Sequence, residues 1–209
     1  DASVTSTGTG IGRGLELVSP PLMMDEMERQ LELVCEALNE AGAKVDRTAG
    51  VHVHHHIDDL NLNQIKNIYR VYDKHQTSID EFFPKSRRGS QRYVGSMTEY
   101  DMQKVEAATS IQELVRNTER YRNVNFQSYV KYGTIEFRQH AGSTDFTKIM
   151  NWIKITSKLV EAASTKKSIR KLGETANATM AFNKEIGTYR SAQGSFFRDR
   201  KKELRKLYA

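Results

Sequence analysis

One segment past the middle of the chain alternates hydrophobic and polar side chains as a β-strand does. Successive side chains of a strand point to opposite faces of a sheet. In residues 131–140, Ile135 and Phe137 therefore share one face. The opposite face would carry an acid, a guanidinium and an imidazole, from Glu136, Arg138 and His140. The spacing predicts a strand with one face for packing and one face for chemistry.

A second segment, residues 49–57, shows the same alternation. The predicted strand places His52, His54 and His56 on one face and two valines on the other. Imidazole can ligate a metal or hydrogen-bond a phosphate, although histidine is also common in solvated and structural positions. Because both strands carry polar chemistry on one face, we expect them to line a single charged cleft.

The rest of the pattern predicts helices mixed with short strands. Residues 11–18 are typical of a strand that turns Glu16 to one face. Residues 121–130 are typical of a second strand, which would pair with residues 131–140 through a tight turn at Gly133. Apolar residues at helical spacing predict helices at about residues 19–42, 61–82, 98–116, 143–160 and 193–208. This mixture indicates an α+β domain with a mainly antiparallel sheet, whose helices cover one face and leave the other as a floor.

Composition and charge limit the classes of protein to consider. The 209 residues are 38% hydrophobic and 28% charged, and the net charge is +6, which suits one globular domain with a sizeable core. No apolar run approaches the roughly 18–20 residues that span a bilayer. No secretory signal is visible either. Cys35 is the only cysteine, so no internal disulfide can form, and we expect a cytoplasmic protein.

Much of the positive charge lies near the C-terminus. Residues 166–209 contain twelve Lys and Arg against four Asp and Glu. A basic segment can bind nucleic acid or an acidic protein, and it is also typical of a solvated terminal helix. The aromatic residues that interleave with basic ones in single-strand binders are missing here. Nucleic acid is therefore possible as a partner but not favoured.

The predicted floor combines residue types that suit phosphoryl transfer. Carboxylates such as Glu16 and Glu136 are hard oxygen ligands for Mg²⁺, and Arg138 offers a planar fork for phosphate oxygens. Asn123 and Asn125 would contribute from the neighbouring strand. Charge neutralisation and positioning supply most of the catalysis in such sites. The alternative to a functional site is an ordinary ion pair between Glu136 and Arg138 that has only a structural role.

Six short motifs occur in one order along the chain. They are Gly14-x-Glu16-Leu-Val-Ser-Pro20, Gly50-Val-His-Val-His54, Ser86-Arg-Arg88, Tyr121-Arg-x-Val-Asn125, Gly133-Thr-Ile-Glu-Phe-Arg-Gln-His140 and Ile149-x-x-Trp-Ile153. The series resembles the amidoligases of phages, plasmids and fungi, which belong to the carboxylate–amine ligase superfamily with glutamine synthetase and glutamate–cysteine ligase. The resemblance implies a glutamine-synthetase-like catalytic domain with a curled antiparallel sheet in residues 1–165. Residues 166–209 would form a basic helical extension packed on the same domain.

The resemblance also implies a reaction and a set of site residues. ATP with Mg²⁺ would phosphorylate a carboxylate to an acyl phosphate, and an amine would displace phosphate to form an amide. The substrates would be small molecules or peptides, in the cytoplasm of a host that carries a phage or plasmid. The expected catalytic residues are Glu136, Arg138, His52 and His54. The expected nucleotide-binding residues are Arg138, His140, Arg88 and Asn125. The expected metal ligands are Glu16, Glu136 and His52. For Arg87 and Arg88, a solvated charge cluster is the alternative.

One part of the family pattern is absent from the sequence. Family members begin with a strand that bears a Glu-x-Glu pair, and none lies before Glu16. The pair could lie in a preceding or cleaved segment or in a second subunit, or the protein could be a degenerate relative. We therefore expect an N-terminal fragment or a neighbouring subunit to pair with the strand that contains Glu16 and to add a carboxylate. The alternative function is a structural or assembly protein that binds an acidic partner through its basic tail.

Overall fold

Eight α-helices and three strands make up the described part of the protein, which is residues 15–89, 92–169 and 177–208 of a computed structural model. Their order along the chain is α1 Met24–Glu40, β1 Gly50–His56, α2 Leu62–Asp80, a 3₁₀ turn Lys85–Arg87, α3 Glu99–Ala107, α4 Ile111–Asn117, β2 Val124–Asn125, α5 Tyr129–Tyr132, β3 Thr134–Ala141, α6 Phe146–Ser164, α7 Ala178–Glu185 and α8 Ala192–Leu207. No helix in these ranges has the length and apolar character needed to cross a membrane.

The three strands form one small antiparallel sheet. β3 lies in the middle, with β1 on one side and β2 on the other. The predicted α+β class with an antiparallel sheet is confirmed, whereas a likeness to glutamine synthetase stays a prediction. Only Val124–Asn125 of the predicted strand at 121–130 is a strand, because the chain next forms the short helix α5. Gly133, at a φ of +62°, ends that helix and leads into β3.

The apolar face of the sheet is covered by helices. Ile135 and Phe137 are completely buried, and α6 packs on β1 and β3 while α2 packs on α6. The indole of Trp152 on α6 stands edge-on to Phe137, with 6.4 Å between the ring centroids. Tyr72 on α2 approaches the same ring at 5.9 Å. The aromatic contacts fix the face of β3 that points to the core, so its other face is free to form the floor.

A bulge in β3 changes which residues share a face. Val51 opposes His140 and Val53 opposes Phe137, so two steps along β1 match three steps along β3. The extra residue turns His140 to the helix side, where its ring lies 5.6 Å from that of Phe83 and 6.2 Å from that of Trp152. The prediction that His140 shares a face with Glu136 and Arg138 is therefore wrong. A bulge adds one residue to a strand and so interrupts its strict alternation.

His55 is part of the core, on the side of β1 opposite to His52 and His54. Its Nε2 lies 2.7 Å from Thr156 Oγ1 on α6, and its ring stands edge-on to Phe137. Burial lowers the pKa of His55 to about 4. Burial likewise lowers the pKa of His140 to about 4. Both imidazoles are therefore neutral where they pack.

The predicted strand at 11–18 is not present in its described part. Residues 15–18 are exposed and have no strand structure, and residues 11–14 lie outside the described ranges. Alternation over four residues is not enough to predict a strand. A strand also needs a neighbouring strand to pair its backbone hydrogen-bonding groups. The predicted helix at 98–116 is two helices, since the backbone is extended at Ala108 and Ser110 caps α4 through its side chain.

The C-terminal helices pack on α2 and on the end of α6. Glu185 at the end of α7 accepts hydrogen bonds from Lys74 and His75 of α2 and from Lys166 just after α6. Burial raises the pKa of Glu185, but these three donors outweigh it and lower the pKa to about 2. Phe197 of α8 stacks against Phe82, with 4.5 Å between centroids. The carboxylate and the phenyl ring together anchor residues 177–208 to the rest of the protein.

The half-buried His55 should make stability depend on pH. Its folded pKa of about 4 lies below the ordinary value of 6.5, so the unfolded chain binds a proton first as the pH falls. The free energy of unfolding should therefore decrease between pH 6.5 and pH 4, by about 2 kcal/mol from this group between pH 7 and pH 5. Urea unfolding of a His55→Leu variant should show a decrease smaller by that amount. The exposed His56, replaced by leucine, is the matched control, and an unchanged pH dependence in His55→Leu would contradict the assignment.

Candidate functional site

Glu136 lies at the centre of a polar cluster on the sheet floor. Arg138 Nη1 donates to its Oε1 and Asn125 Nδ2 donates to its Oε2, both at 2.6 Å. His52 Nδ1 lies 3.1 Å from the same Oε1, and His54 Nε2 lies 3.7 Å from it. The structure thus brings together five of the predicted site residues from all three strands.

The register of the sheet explains this convergence. His54 of β1 and Asn125 of β2 both lie opposite Glu136 of β3. Side chains directly opposite each other in an antiparallel pair point to the same face and lie within contact distance. Because β3 is the middle strand, its Glu136 receives donors from both sides. A glutamate on an edge strand would have one such neighbour.

Burial and charge set the ionisation of the cluster. Glu136 is only 4% exposed. Burial raises its pKa, but the hydrogen bond from His52, the charge of Arg138 and the hydrogen bond from Asn125 together lower the pKa to about 2. Burial lowers the pKa of His54, and the charge of Glu136 offsets this in part. At neutral pH the cluster therefore contains an ionised carboxylate, a guanidinium and a neutral His54, whose Nδ1 lies 3.0 Å from Thr134 Oγ1.

Arg138 has a second hydrogen-bonding edge that Glu136 does not use. Its Nη1 is taken by Glu136, and its buried Nε has no hydrogen-bond partner among the described residues. Asn123 lies opposite Arg138 and accepts its backbone N–H at 2.9 Å. The amide side chain of Asn123 is also buried, and neither of its polar atoms has a partner in the described part of the chain. Buried polar groups are nearly always paired, so these atoms mark a place for a polar ligand or water.

Arg87 brings a second guanidinium to the same face. It is 6% exposed and donates to the carbonyl of Ala49. A Cβ on Gly50 would lie 3.2 Å from Arg87 Nη1 and 3.3 Å from His52 Nε2, so the glycine makes room for both groups. Burial, and next the charge of Arg138, lower the pKa of Arg87. Within the described ranges Arg87 has no salt bridge, and a buried cation without an anion is strongly unfavourable.

The motif Ser86-Arg-Arg88 pointed to this region, and the structure brings Arg87, not Arg88, near His52 and Gly50. Arg88 Nε donates to the carbonyl of Phe83 at 2.7 Å. Its side chain lines a cavity with Leu204 and Tyr208 of the α8 end. The structure therefore does not bring Arg88 to the Glu136 cluster. The sequence shows two adjacent arginines in a loop, and it does not show that the 3₁₀ turn directs only Arg87 over Gly50.

Two further predicted residues lie elsewhere. Glu16 is exposed and belongs to a segment outside the three strands, so its predicted position on the sheet floor is not found. His140 lines a separate cavity of about 320 Å³ on the helix side of the sheet, next to Phe83 and Phe197. Its Nδ1 lies 2.6 Å from the carbonyl oxygen of Ala141. Their roles in metal and nucleotide binding stay predictions.

The described residues do not form a magnesium site by themselves. No group of three or more His, Cys, Asp or Glu side chains in these ranges is arranged to hold a metal ion. Among the residues that the structure describes, Glu136 is the only carboxylate at the centre of the cluster, and both of its oxygens accept hydrogen bonds. Mg²⁺ usually binds one or two carboxylates together with substrate phosphates. The donor set fits an oxyanion better, because its unused groups are guanidinium and amide nitrogens.

Replacement of Arg87 should weaken anion binding without lowering the free energy of unfolding. We expect Arg87→Met to weaken the binding of inorganic pyrophosphate at least about 10-fold, because one charge-assisted contact is lost. The free energy of unfolding without ligand should stay the same or increase, since a buried unpaired charge is removed. Ala49 O keeps a hydrogen bond from Gly142 N at 2.8 Å. Calorimetric titration and urea unfolding measure both quantities.

The matched control for this change is Arg190→Met, because Arg190 is exposed. It should leave pyrophosphate binding unchanged. Equal affinities in the wild type and in Arg87→Met would contradict the assignment of Arg87 to the anion site.

One comparison with known proteins identifies a family for this chain. A family model described as "Putative amidoligase enzyme" matches residues 1–160. The matched region includes all three strands and therefore every residue of the Glu136 cluster. No curated protein and no solved structure matches the chain. The chain therefore belongs to this amidoligase family, whose description indicates an enzyme of the ligase type.

Proposed function

We propose that the protein is an ATP-dependent carboxylate–amine ligase that forms an amide through an acyl phosphate. The observation that carries this proposal is the pair of buried guanidiniums, Arg87 and Arg138, of which only Arg138 is paired with a carboxylate among the described residues. Such a site has an unbalanced positive charge and unused hydrogen-bond donors. Phosphoryl transfer needs a place of this kind, because negative charge accumulates on the phosphate oxygens in the transition state.

In the proposed reaction, each residue of the cluster would have its own role in binding the phosphoryl group. The Nε edge of Arg138 and the guanidinium of Arg87 would bind oxygens of the transferred phosphoryl group. Glu136 would hold Arg138 in place through Nη1 and His52 through Nδ1. Bidentate contacts from a fixed guanidinium position a phosphate as well as neutralise it. ATP would supply the phosphoryl group, and Mg²⁺ would neutralise its charge when bound. In the described ranges, Glu136 is the one carboxylate at the cluster that could approach this metal.

The proposed reaction has two balanced steps. A carboxylate oxygen of the acid attacks the terminal phosphorus of ATP, the bond to the bridging oxygen breaks, and ADP leaves. The amine nitrogen then attacks the acyl carbon, the bond from that carbon to the phosphate oxygen breaks, and inorganic phosphate leaves. The amine must lose a proton. His54 could accept it, because its lowered pKa keeps the imidazole neutral.

The non-catalytic alternative finds less support in the structure. Binding of an acidic partner by the C-terminal helix would require unpaired cations on α8. Lys201 and Arg205 pair with Glu81, and Arg200 pairs with Glu203. Lys202 pairs with Asp199. These contacts neutralise much of the basic segment within the protein itself, so its charge is a weak argument for a partner.

The proposal can be tested with hydroxylamine as the amine and a panel of carboxylic acids. The wild type should release phosphate from ATP in the presence of the right acid and should form a hydroxamate. Glu136→Gln should lower the rate at least about 100-fold, because Arg138 and His52 lose their common anchor and the site gains positive charge. ADP release measures the first step, and hydroxamate absorbance measures the second.

Two further variants make the test specific. Arg138→Lys should also lower the rate, since lysine keeps the charge but lacks the planar fork. Glu161→Gln is the control, because Glu161 is an exposed acid paired with Lys158 on α6. Turnover by Glu136→Gln equal to that of the wild type would contradict the assignment of Glu136 to the catalytic site.

A further inference from the structure

Three exposed tyrosines lie around the Glu136 cluster. Tyr93, Tyr121 and Tyr132 are 48%, 47% and 57% exposed, and we call them the aromatic rim. Tyrosine is enriched where proteins bind other proteins. Three of them beside one polar cluster therefore suggest a binding surface continuous with the site.

Ring contacts connect the rim to the cluster on two sides. Tyr121 lies 5.8 Å from the guanidinium carbon of Arg138. Tyr93 packs edge-on against Tyr121, with 5.7 Å between centroids. On the other side, Tyr132 stands edge-on to His54 at 6.1 Å. A ligand that crosses the floor would therefore contact aromatic rings both before and after it reaches Arg138.

Each rim tyrosine also has an exposed cation over its ring. Arg92 lies 5.1 Å from the centroid of Tyr93, Arg120 lies 5.9 Å from that of Tyr121, and Lys131 lies 4.8 Å from that of Tyr132. None of the three cations has a salt bridge in the described part of the chain. The neighbouring Arg122 differs, since it pairs with Asp101 and Glu119. The rim therefore carries three positive charges available to a partner.

We propose that the aromatic rim binds an acidic peptide and that one carboxylate of this peptide reaches Arg138. This inference rests on the proposed function and names its acid substrate as a polypeptide carboxylate. The partner is identified by charge complementarity, because three unpaired cations surround a site that itself holds more guanidiniums than carboxylates. Tyrosine rings would pack against the aliphatic parts of the peptide.

The same features argue against a nucleic acid and against a small free acid. Arg138 is only 7% exposed, so a single extended side chain can reach it more easily than a phosphodiester backbone. The edge-on packing of Tyr93 and Tyr121 does not form a parallel platform for stacked bases. A free amino acid bound at Arg138 would not need the cations over the rim tyrosines, and the rim would then have no role.

The test measures binding without ATP, so it does not depend on turnover. A fluorescein-labelled oligoglutamate peptide should bind the wild type, and added salt should weaken this binding. Arg120→Glu and Lys131→Glu should each raise the Kd about 10-fold, because they replace attraction by repulsion at the rim. Tyr121→Ala should also raise it. Anisotropy titration gives each Kd, and the thermal midpoint shows that each variant is folded.

Matched variants elsewhere on the surface keep the result specific. Lys202→Glu makes the same charge change on α8, where Lys202 is 73% exposed, and Tyr208→Ala removes a tyrosine that has Lys85 over its ring at the end of that helix. Both should bind the peptide as the wild type does. An oligoglutamine peptide of equal length should bind at least about 10-fold more weakly than oligoglutamate.

Several results would overturn the proposal. Tighter binding of an oligothymidylate than of oligoglutamate would assign the rim to nucleic acid. Full competition by free glutamate at the concentration of the peptide would show that the rim adds nothing. An unchanged affinity for oligoglutamate in both Arg120→Glu and Lys131→Glu would also show that the rim adds nothing to binding. If peptide binding depends on the rim but no acid supports ATP turnover, the proposed reaction fails while the binding surface stands.

Discussion

The Glu136–Arg138 pair on the middle strand is the interaction on which the rest of the site depends. Both side chains are buried on the sheet floor, and Glu136 also accepts a hydrogen bond from Asn125 of β2 and approaches His52 of β1. A buried carboxylate without such donors would be protonated or would destabilise the fold. The pair therefore fixes the ionisation of Glu136, directs one edge of Arg138 inward and leaves the other edge for a ligand. Removal of either partner would change all three properties together.

The bulge in β3 lets this one strand serve both the site and the core. Before the bulge, Glu136 faces the floor while Phe137 faces the helices. After it, His140 packs against Phe83 and Trp152 on the helix side. A regular strand would have placed a third titratable group of β3 on the floor, next to the histidines of β1. In the bulged strand, burial keeps His140 neutral and makes it part of the packing. Bulges next to functional sites often redirect side chains in this way.

Some features of the protein could be predicted from the sequence because they depend on local periodicity. The alternation in residues 133–140 and in Gly50–His56 is enough to identify both strands and to place His52, His54 and Glu136 on one face. The positions of Arg87 and His140 depend on a turn and on a bulge, and neither has a clear signal in residue types. Residues 121–130 look like a strand because they contain β-branched and aromatic residues, yet only Val124 and Asn125 of them form one. A three-strand sheet is set by pairing partners, which periodicity alone cannot supply.

The balance of charge explains why a fold of this size can hold such a site. Arg87 and Arg138 are both buried, and among the described residues only Arg138 is paired with a carboxylate, so the protein without ligand bears an unfavourable electrostatic energy. The core on the other face offsets it, because Ile135, Phe137 and Trp152 are fully or almost fully buried there. In the proposed function, an anion bound at the cluster would reduce this imbalance. Its binding free energy would arise from charges that are already in position, which is the condition under which electrostatic catalysis is most effective.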